Sequence, residues 1–289
     1  MSSLLFDISL AFTNVYSGWI VWNLFLAFVP LVLSFLLFHR KAKTQLWLWL
    51  LMGVTTFMGV IGLWPRLPRV IAAQVNLIRG VMQGEITALL ELFGLGAIAL
   101  TLLAIHLLLM RQKEQTRSWK WWVVLAIFIT FLPNAPYVLT DIIHLIRGIS
   151  SGVIPTWVVT LIFIPLHVAA ILVGFEAYVI ALINQGSYLE QRGFSQYILP
   201  AELLIHALCA VGIYLGRFIR LNSWDLVMDP SNVLLITLNS LTSKWPMLVI
   251  GVTFIILTVL YWVMKQVTLG LQLRFHDVRS NHYSPVTRG

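Results

Sequence analysis

Tyr137, Thr140, Asp141 and His144 follow one another at i, i+3, i+4 and i+7, the spacing that lays four side chains along one face of a helix. A carboxylate close to an imidazole can hold and pass a proton, or bind a metal when further ligands stand nearby. Metal is the weaker expectation, because one histidine and two or three carboxylates are all that the neighbouring motifs offer. A second row lies much later, where Glu202, His206, Arg217 and Arg220 are separated by 4, 11 and 3 residues. On an α-helix these fall within a sector of roughly 60° and run along about 27 Å of its length. Arg217 and Arg220 can pair with Asp141 or Asp225 as structural locks, or grip a phosphate or carboxylate with the fork of the guanidinium. Glu202 and His206 are the candidates for a proton path. The plain alternative is a polar seam that keeps helices in register.

These rows need explaining because of what surrounds them. Hydrophobic residues make up 59% of the 289 and charged residues only 10%, with a mean hydropathy of +0.89, far outside the range of water-soluble domains. Apolar runs of about 20 residues recur, each long enough to cross the bilayer as a helix. A membrane barrel would show short alternating segments instead, whereas the run from Trp245 to Met264 is apolar all round. The expected fold is therefore all-α: a polytopic membrane helix bundle forming a single transmembrane domain over 1–289, with 266–289 as a short cytoplasmic tail. An ionisable group inside such a span costs about 2.5 kcal/mol or more on insertion scales, so those that persist face protein or water and often mark a site.

Seven spans are expected, at about 20 to 38, 46 to 64, 86 to 110, 121 to 143, 156 to 183, 197 to 219 and 245 to 264. Pro133 and Pro136 break the fourth, which divides into a spanning part and a short helix from about Tyr137 to Ile146. Pro136 suits a first turn and Asn134 a cap, and the free amides of such a start can hold an anion. Arg40, Lys41, Lys43, Arg111, Lys113, Arg117, Lys120, Arg192, Lys265, Arg274, Arg279 and Arg288 fall on one set of connections. The excess of basic residues on the cytoplasmic side then places the N-terminus outside and the C-terminus inside. Arg66, Arg69 and Arg79 oppose that bias from one outer loop, 65 to 85. Tryptophans collect near the predicted ends, at the level of the head groups.

The formal charge of +8 reads as topology rather than as a nucleic-acid surface, since the basic residues cluster between apolar runs. The lone Cys209 forms no intrachain disulfide. No cleavable signal peptide is expected from the opening residues, and no internal repeat of the transporter kind is visible. Two short patterns carry no chemistry. Gly94, Gly96 and Ala99 match a dinucleotide fingerprint by letter but lie inside an apolar helix, where small residues serve packing. Gly148, Ser150 and Gly152 match a nucleophile elbow without the strand and turn that it needs. His167 and Glu176, nine residues apart, lie on opposite helix faces and build no joint site. Pro165 is placed to kink the fifth span.

The stretch from Phe131 to Leu145, FLPNAPYVLTDIIHL, and that from Gly212 to Asp225, GIYLGRFIRLNSWD, resemble the domain of unknown function 1361 family. The stretch from Trp22 to Ser34, WNLFLAFVPLVLS, is similar to its opening helix. The resemblance implies a bacterial membrane protein, and it points to Asn134, Pro136, Tyr137, Asp141, His144, Arg217, Arg220, Asn222, Trp224 and Asp225. The family has no established activity, so the resemblance implies a location and no mechanism, and no cofactor is named by it.

The functional expectation is an extracytoplasmic, membrane-level site for an anionic head group or small ligand. In it Asp141 and His144 carry proton chemistry, while Asn134, Tyr137, Arg217, Arg220, Asn222 and Asp225 bind. The alternatives are proton-coupled transport past Glu202 and His206, or a structural or assembly subunit whose polar rows only set helix register. Beyond the lipid bilayer, no protein partner is implied.

Overall fold

With no water to bond the backbone, an apolar chain in a bilayer satisfies its peptide groups by coiling on itself. The computed structural model describes residues 19–38, 45–86, 119–150, 152, 155–221 and 230–282, and every regular element among them is helical. In chain order the α-helices longer than four residues are α1 (Trp19–Phe38), α2 (Gln45–Leu63), α3 (Leu67–Met82), α4 (Trp119–Phe131), α5 (Ile142–Ser150), α6 (Ile164–Gln191), α7 (Ile198–Tyr214), α8 (Pro230–Thr242) and α9 (Lys244–His282). Six stretches among the described residues are long and apolar enough to cross a membrane: Trp19–Phe38, Leu46–Arg66, Trp119–Arg147, Thr156–Gln191, Ser195–Ile219 and Lys244–Arg274. They coincide with six of the seven expected spans. All but the first residue of the expected third span lies outside the described residues.

Three elements differ from the expectation. The outer loop expected at 65 to 85 contains a regular helix, α3, joined to α2 by one 3-10 turn, Trp64–Arg66. The fourth span is interrupted less than its prolines imply. After a turn at Leu132 and Pro133 the chain is already helical at Asn134–Tyr137, then 3-10 over Val138–Asp141, and continues into α5. Ala135 N donates to Leu132 O and Tyr137 N to Pro133 O. The helix thus restarts before Pro136, and those amides are spent on the backbone instead of being presented to an anion. Finally, α9 runs without interruption to His282, so the expected tail begins as a continuation of the last span.

α1 is the hub, packing against α2, α4 and α6, while α7 packs against α9. Phe128, Leu132, Val138, Tyr178, Leu182, Cys209 and Ile213 form the buried centre, and the apolar residues of α2 and α9 that face outward are exposed to lipid. Lipid tails are as apolar as leucine, so close packing rather than water exclusion holds such helices together, and small residues let the backbones approach. A Cβ built on Gly212 would lie 2.8 Å from Pro133 Cβ, and one on Gly174 would lie 2.8 Å from Val138 Cγ2. These two contacts press the Pro133 to Val138 segment against α7 and α6. Gly212→Ala is expected to destabilise the protein by about 1–3 kcal/mol, because the proline ring cannot turn aside. Gly251→Ala meets nothing within 4 Å and should be neutral or slightly stabilising through helix propensity. Unfolding midpoints of the two variants in one detergent check the contrast.

Candidate functional site

The four side chains of the Tyr137 row all converge on one guanidinium. Arg217 Nη2 lies 2.8 Å from Asp141 Oδ1, Nε donates to Thr140 Oγ1 at 2.9 Å, and Nη2 donates to the same hydroxyl. Nη1 meets His144 Nε2 at 3.3 Å, and the guanidinium carbon stands 4.5 Å from the centre of the Tyr137 ring. Thr140 can accept from Arg217 because its own hydrogen goes to Tyr137 O, at 2.7 Å. A guanidinium has no lone pair, so in this contact His144 Nε2 can only accept, which requires the tautomer with its proton on Nδ1.

Asp141 is only 3% exposed, and a carboxylate there needs partners for both oxygens. Its second oxygen, Oδ2, accepts from Asn23 Nδ2 at 2.8 Å, so that α1, the segment before α5 and the end of α7 meet at one carboxyl group. Trp19, at the start of α1, covers the neighbouring imidazoles. Its ring lies 4.3 Å from that of His144 and 5.5 Å from that of His167. Beside Asp141 and His167 a narrow crevice opens between Ile20, Leu24, Val138, Ala170 and Ile171.

Two local departures from α geometry aim these groups. Arg217 sits in a π-helical turn, Leu215–Ile219, and a second π turn, Val159–Phe163, precedes His167. Such turns are rare and are often found at functional positions. The second has a visible cause: the ring of Pro165 conflicts with the carbonyl four residues earlier, at Leu161, and removes an amide from the ladder. The first ends at Arg220, whose φ of 68° is left-handed, a conformation usually reserved for glycine. Leu221 N then closes the helix end on Leu215 O.

The remaining expected residues distribute as follows. Asn134 does not cap. Pro133 holds the cap position without a side-chain bond, and Asn134 Nδ2 reaches back to Phe131 O at 3.0 Å, satisfying a carbonyl at the end of α4. Arg220 is exposed and follows Arg217 by three residues. Asn222, Trp224 and Asp225 lie outside the described residues. Glu202 and His206 belong to a different neighbourhood, fifteen and eleven residues before Arg217, hence about 22 and 16 Å away along α7. Glu202 Oε1 accepts from Tyr261 Oη and from Lys265 Nζ, both at 2.6 Å. His206 Nδ1 shares a 2.6 Å hydrogen bond with Tyr178, and its ring lies 4.8 Å from that of Tyr261. The two pairs knit α6, α7 and α9. Between them and Arg217 the helix buries Cys209, Ala210 and Ile213. Glu176, on another face of α6 from His167, accepts from Thr268 Oγ1 at 2.7 Å.

Sequence reasoning passed over Asn23, Trp19, Tyr178, Tyr261 and the pairing role of Lys265. An amide in an otherwise apolar span is itself a signal, since it seeks a partner on another helix. Nothing in the sequence names Asp141 as that partner.

A bundle of apolar helices with ionisable groups gathered inside defines an integral membrane protein of the polytopic, all-helical class. A family model for a protein of unknown function (DUF1361) matches residues 92–259, and the chain belongs to that family. The match takes in the Tyr137 row and the α7 row and begins after α1, so Asn23 and Trp19 lie outside it. No curated protein and no solved structure matches the chain.

Proposed function

We propose that the protein presents, at one membrane face, a binding site for a phosphate or carboxylate group, above all the head group of an anionic phospholipid. Arg217 is the charge that receives it. The observation that carries this reading is the Asp141 to Arg217 pair itself: an internal carboxylate already holds the guanidinium as an external oxyanion would. Arg217 makes four of the hydrogen bonds that its five N–H groups allow, and its side chain retains 13% exposure. Arg147 and Arg220, each three residues beyond a member of the cluster, are exposed, which leaves positive charge to spare beside Asp141, the one buried acid of the cluster among the described residues. When a ligand draws Arg217 away, the Nε2 lone pair of His144 is released. The histidine, beside Asp141, is then placed to accept a proton from a hydroxyl of the bound group. In this proposal the site faces outward from a bacterial plasma membrane, with the N-terminus outside and the C-terminus in the cytoplasm.

Purified protein in zwitterionic nanodiscs, titrated with phosphatidylglycerol against phosphatidylcholine, tests the reading. At about a hundred times its dissociation constant a ligand that binds only the folded state adds about 2.7 kcal/mol, so the unfolding midpoint should rise with the acidic lipid. The rise should vanish in Arg217→Gln and shrink in Arg220→Gln. An equal rise in all three proteins would contradict it.

A second reading, a purely structural clamp, is favoured by the occupation of both Asp141 oxygens, and the same titration separates the two because a clamp does not respond to acidic lipid. Transport along α7 has less support, since Glu202 and His206 close on Lys265, Tyr261 and Tyr178 and buried apolar residues part them from Arg217.

A further inference from the structure

Outside the site, α3 has a pattern unlike that of the spans. Ile71, Val75, Ile78 and Met82 follow at steps of 4, 3 and 4 residues, forming one stripe on a helix, and they are 55%, 48%, 60% and 83% exposed. Asn76 and Gln83 stand roughly 130° round from that stripe and are exposed as well. The main packing partner of α3 among the described residues is the short turn that precedes it. Its 16 residues rise about 24 Å, less than the hydrocarbon thickness. Arg66, Arg69 and Arg79 fall in or beside it, with no acid between Arg66 and Met82.

Where α3 begins is fixed by its neighbours. It follows the α2 span after one turn, and that turn is pinned by Arg66, which donates to Gly62 O and lies 5.2 Å over the Trp22 ring. The start of α3 is thereby held at the membrane face, next to the end of α1 that carries Asn23. A short helix at that depth, with an apolar stripe on one side and basic residues without acidic ones, fits the water–lipid boundary of a membrane rich in acidic phospholipid. We infer that α3 lies in the plane of the membrane surface, its Ile71 to Met82 stripe among the acyl chains and its Arg79 among acidic head groups. The inference does not depend on a ligand at Arg217.

The test uses the full chain with Cys209→Ala as background and single changes Ile71→Cys, Ile78→Cys, Asn76→Cys and Gln83→Cys, each labelled with a small environment-sensitive fluorophore. The labelled proteins are placed in nanodiscs containing spin-labelled lipid. Quenching at 71 and 78 should exceed that at 76 and 83 by about twofold or more, and should fall when phosphatidylglycerol is replaced by phosphatidylcholine. Equal quenching on both faces would overturn the inference. So would a stripe shielded from lipid and water quenchers alike, the signature of a covering protein or second copy, or quenching indifferent to acidic lipid.

Discussion

Replacing Arg217 with alanine is expected to remove about 3–5 kcal/mol of unfolding free energy, the usual cost of deleting one partner of an enclosed ion pair. The loss comes from what remains. Asp141 keeps only the Asn23 amide, with one carboxylate oxygen facing apolar walls, while Thr140 and His144 lose the donor that joined them. Asp141→Asn should cost less, since its amide oxygen still accepts from Arg217, and Thr140, His144 and the Tyr137 ring still hold the guanidinium. The double change Asp141→Leu with Arg217→Met should recover part of the loss, because an apolar pair of similar size avoids the desolvation of both charges. Reversible unfolding of the four proteins in mixed micelles measures the series. A midpoint for Arg217→Ala equal to that of the parent would show that the pair carries no structural load.

Among the ion-paired residues, Lys265→Ala should be the next most damaging change, at about 1–3 kcal/mol. Its partner Glu202 is nearly as enclosed as Asp141, with side-chain exposures of 24% and 11% for lysine and glutamate, but this lysine is more open than Arg217, at 13%, and the pair is worth correspondingly less. Tyr261 still donates to the orphaned carboxylate, which limits the damage. Glu202→Gln should be milder than Lys265→Ala, because it keeps an acceptor for both donors and the charge left without a counter-ion is on the more exposed member of the pair. If Glu202→Gln proves the worse of the two in the same unfolding assay, Glu202 has a task besides this pairing.

The Tyr137 row was legible in the sequence because its period needs nothing but a helix, and the helix forms. The spans were legible for the same reason: length and hydropathy alone determine whether a segment can cross a bilayer. What sequence could not supply is the partner of each polar group. Asn23 is visible as an amide in an apolar run, yet its bond to Asp141 is 118 positions away along the chain. Lys265 reads as a marker of the cytoplasmic boundary, and its contact with Glu202 depends on how α7 and α9 pack. The α7 row was read as one continuous stripe on the assumption of about 100° per residue. That holds to Tyr214, after which the π turn advances fewer degrees per residue and turns Arg217 toward α1 and the Asp141 segment. One row thus serves two separate neighbourhoods. Asn134 shows the converse failure, a residue of capping type at a helix start whose side chain instead answers a carbonyl of the preceding helix.

The proposed site makes an anionic ligand and Asp141 rivals for the same guanidinium, and a double-mutant cycle with Asp141→Asn and Arg217→Gln measures that rivalry. Run first in phosphatidylcholine and then with saturating phosphatidylglycerol, the cycle should give a coupling energy of about 1–3 kcal/mol that falls by at least half when the acidic lipid is present. A coupling that stays the same in both lipids would mean that nothing from outside reaches Arg217, and the site would be a clamp.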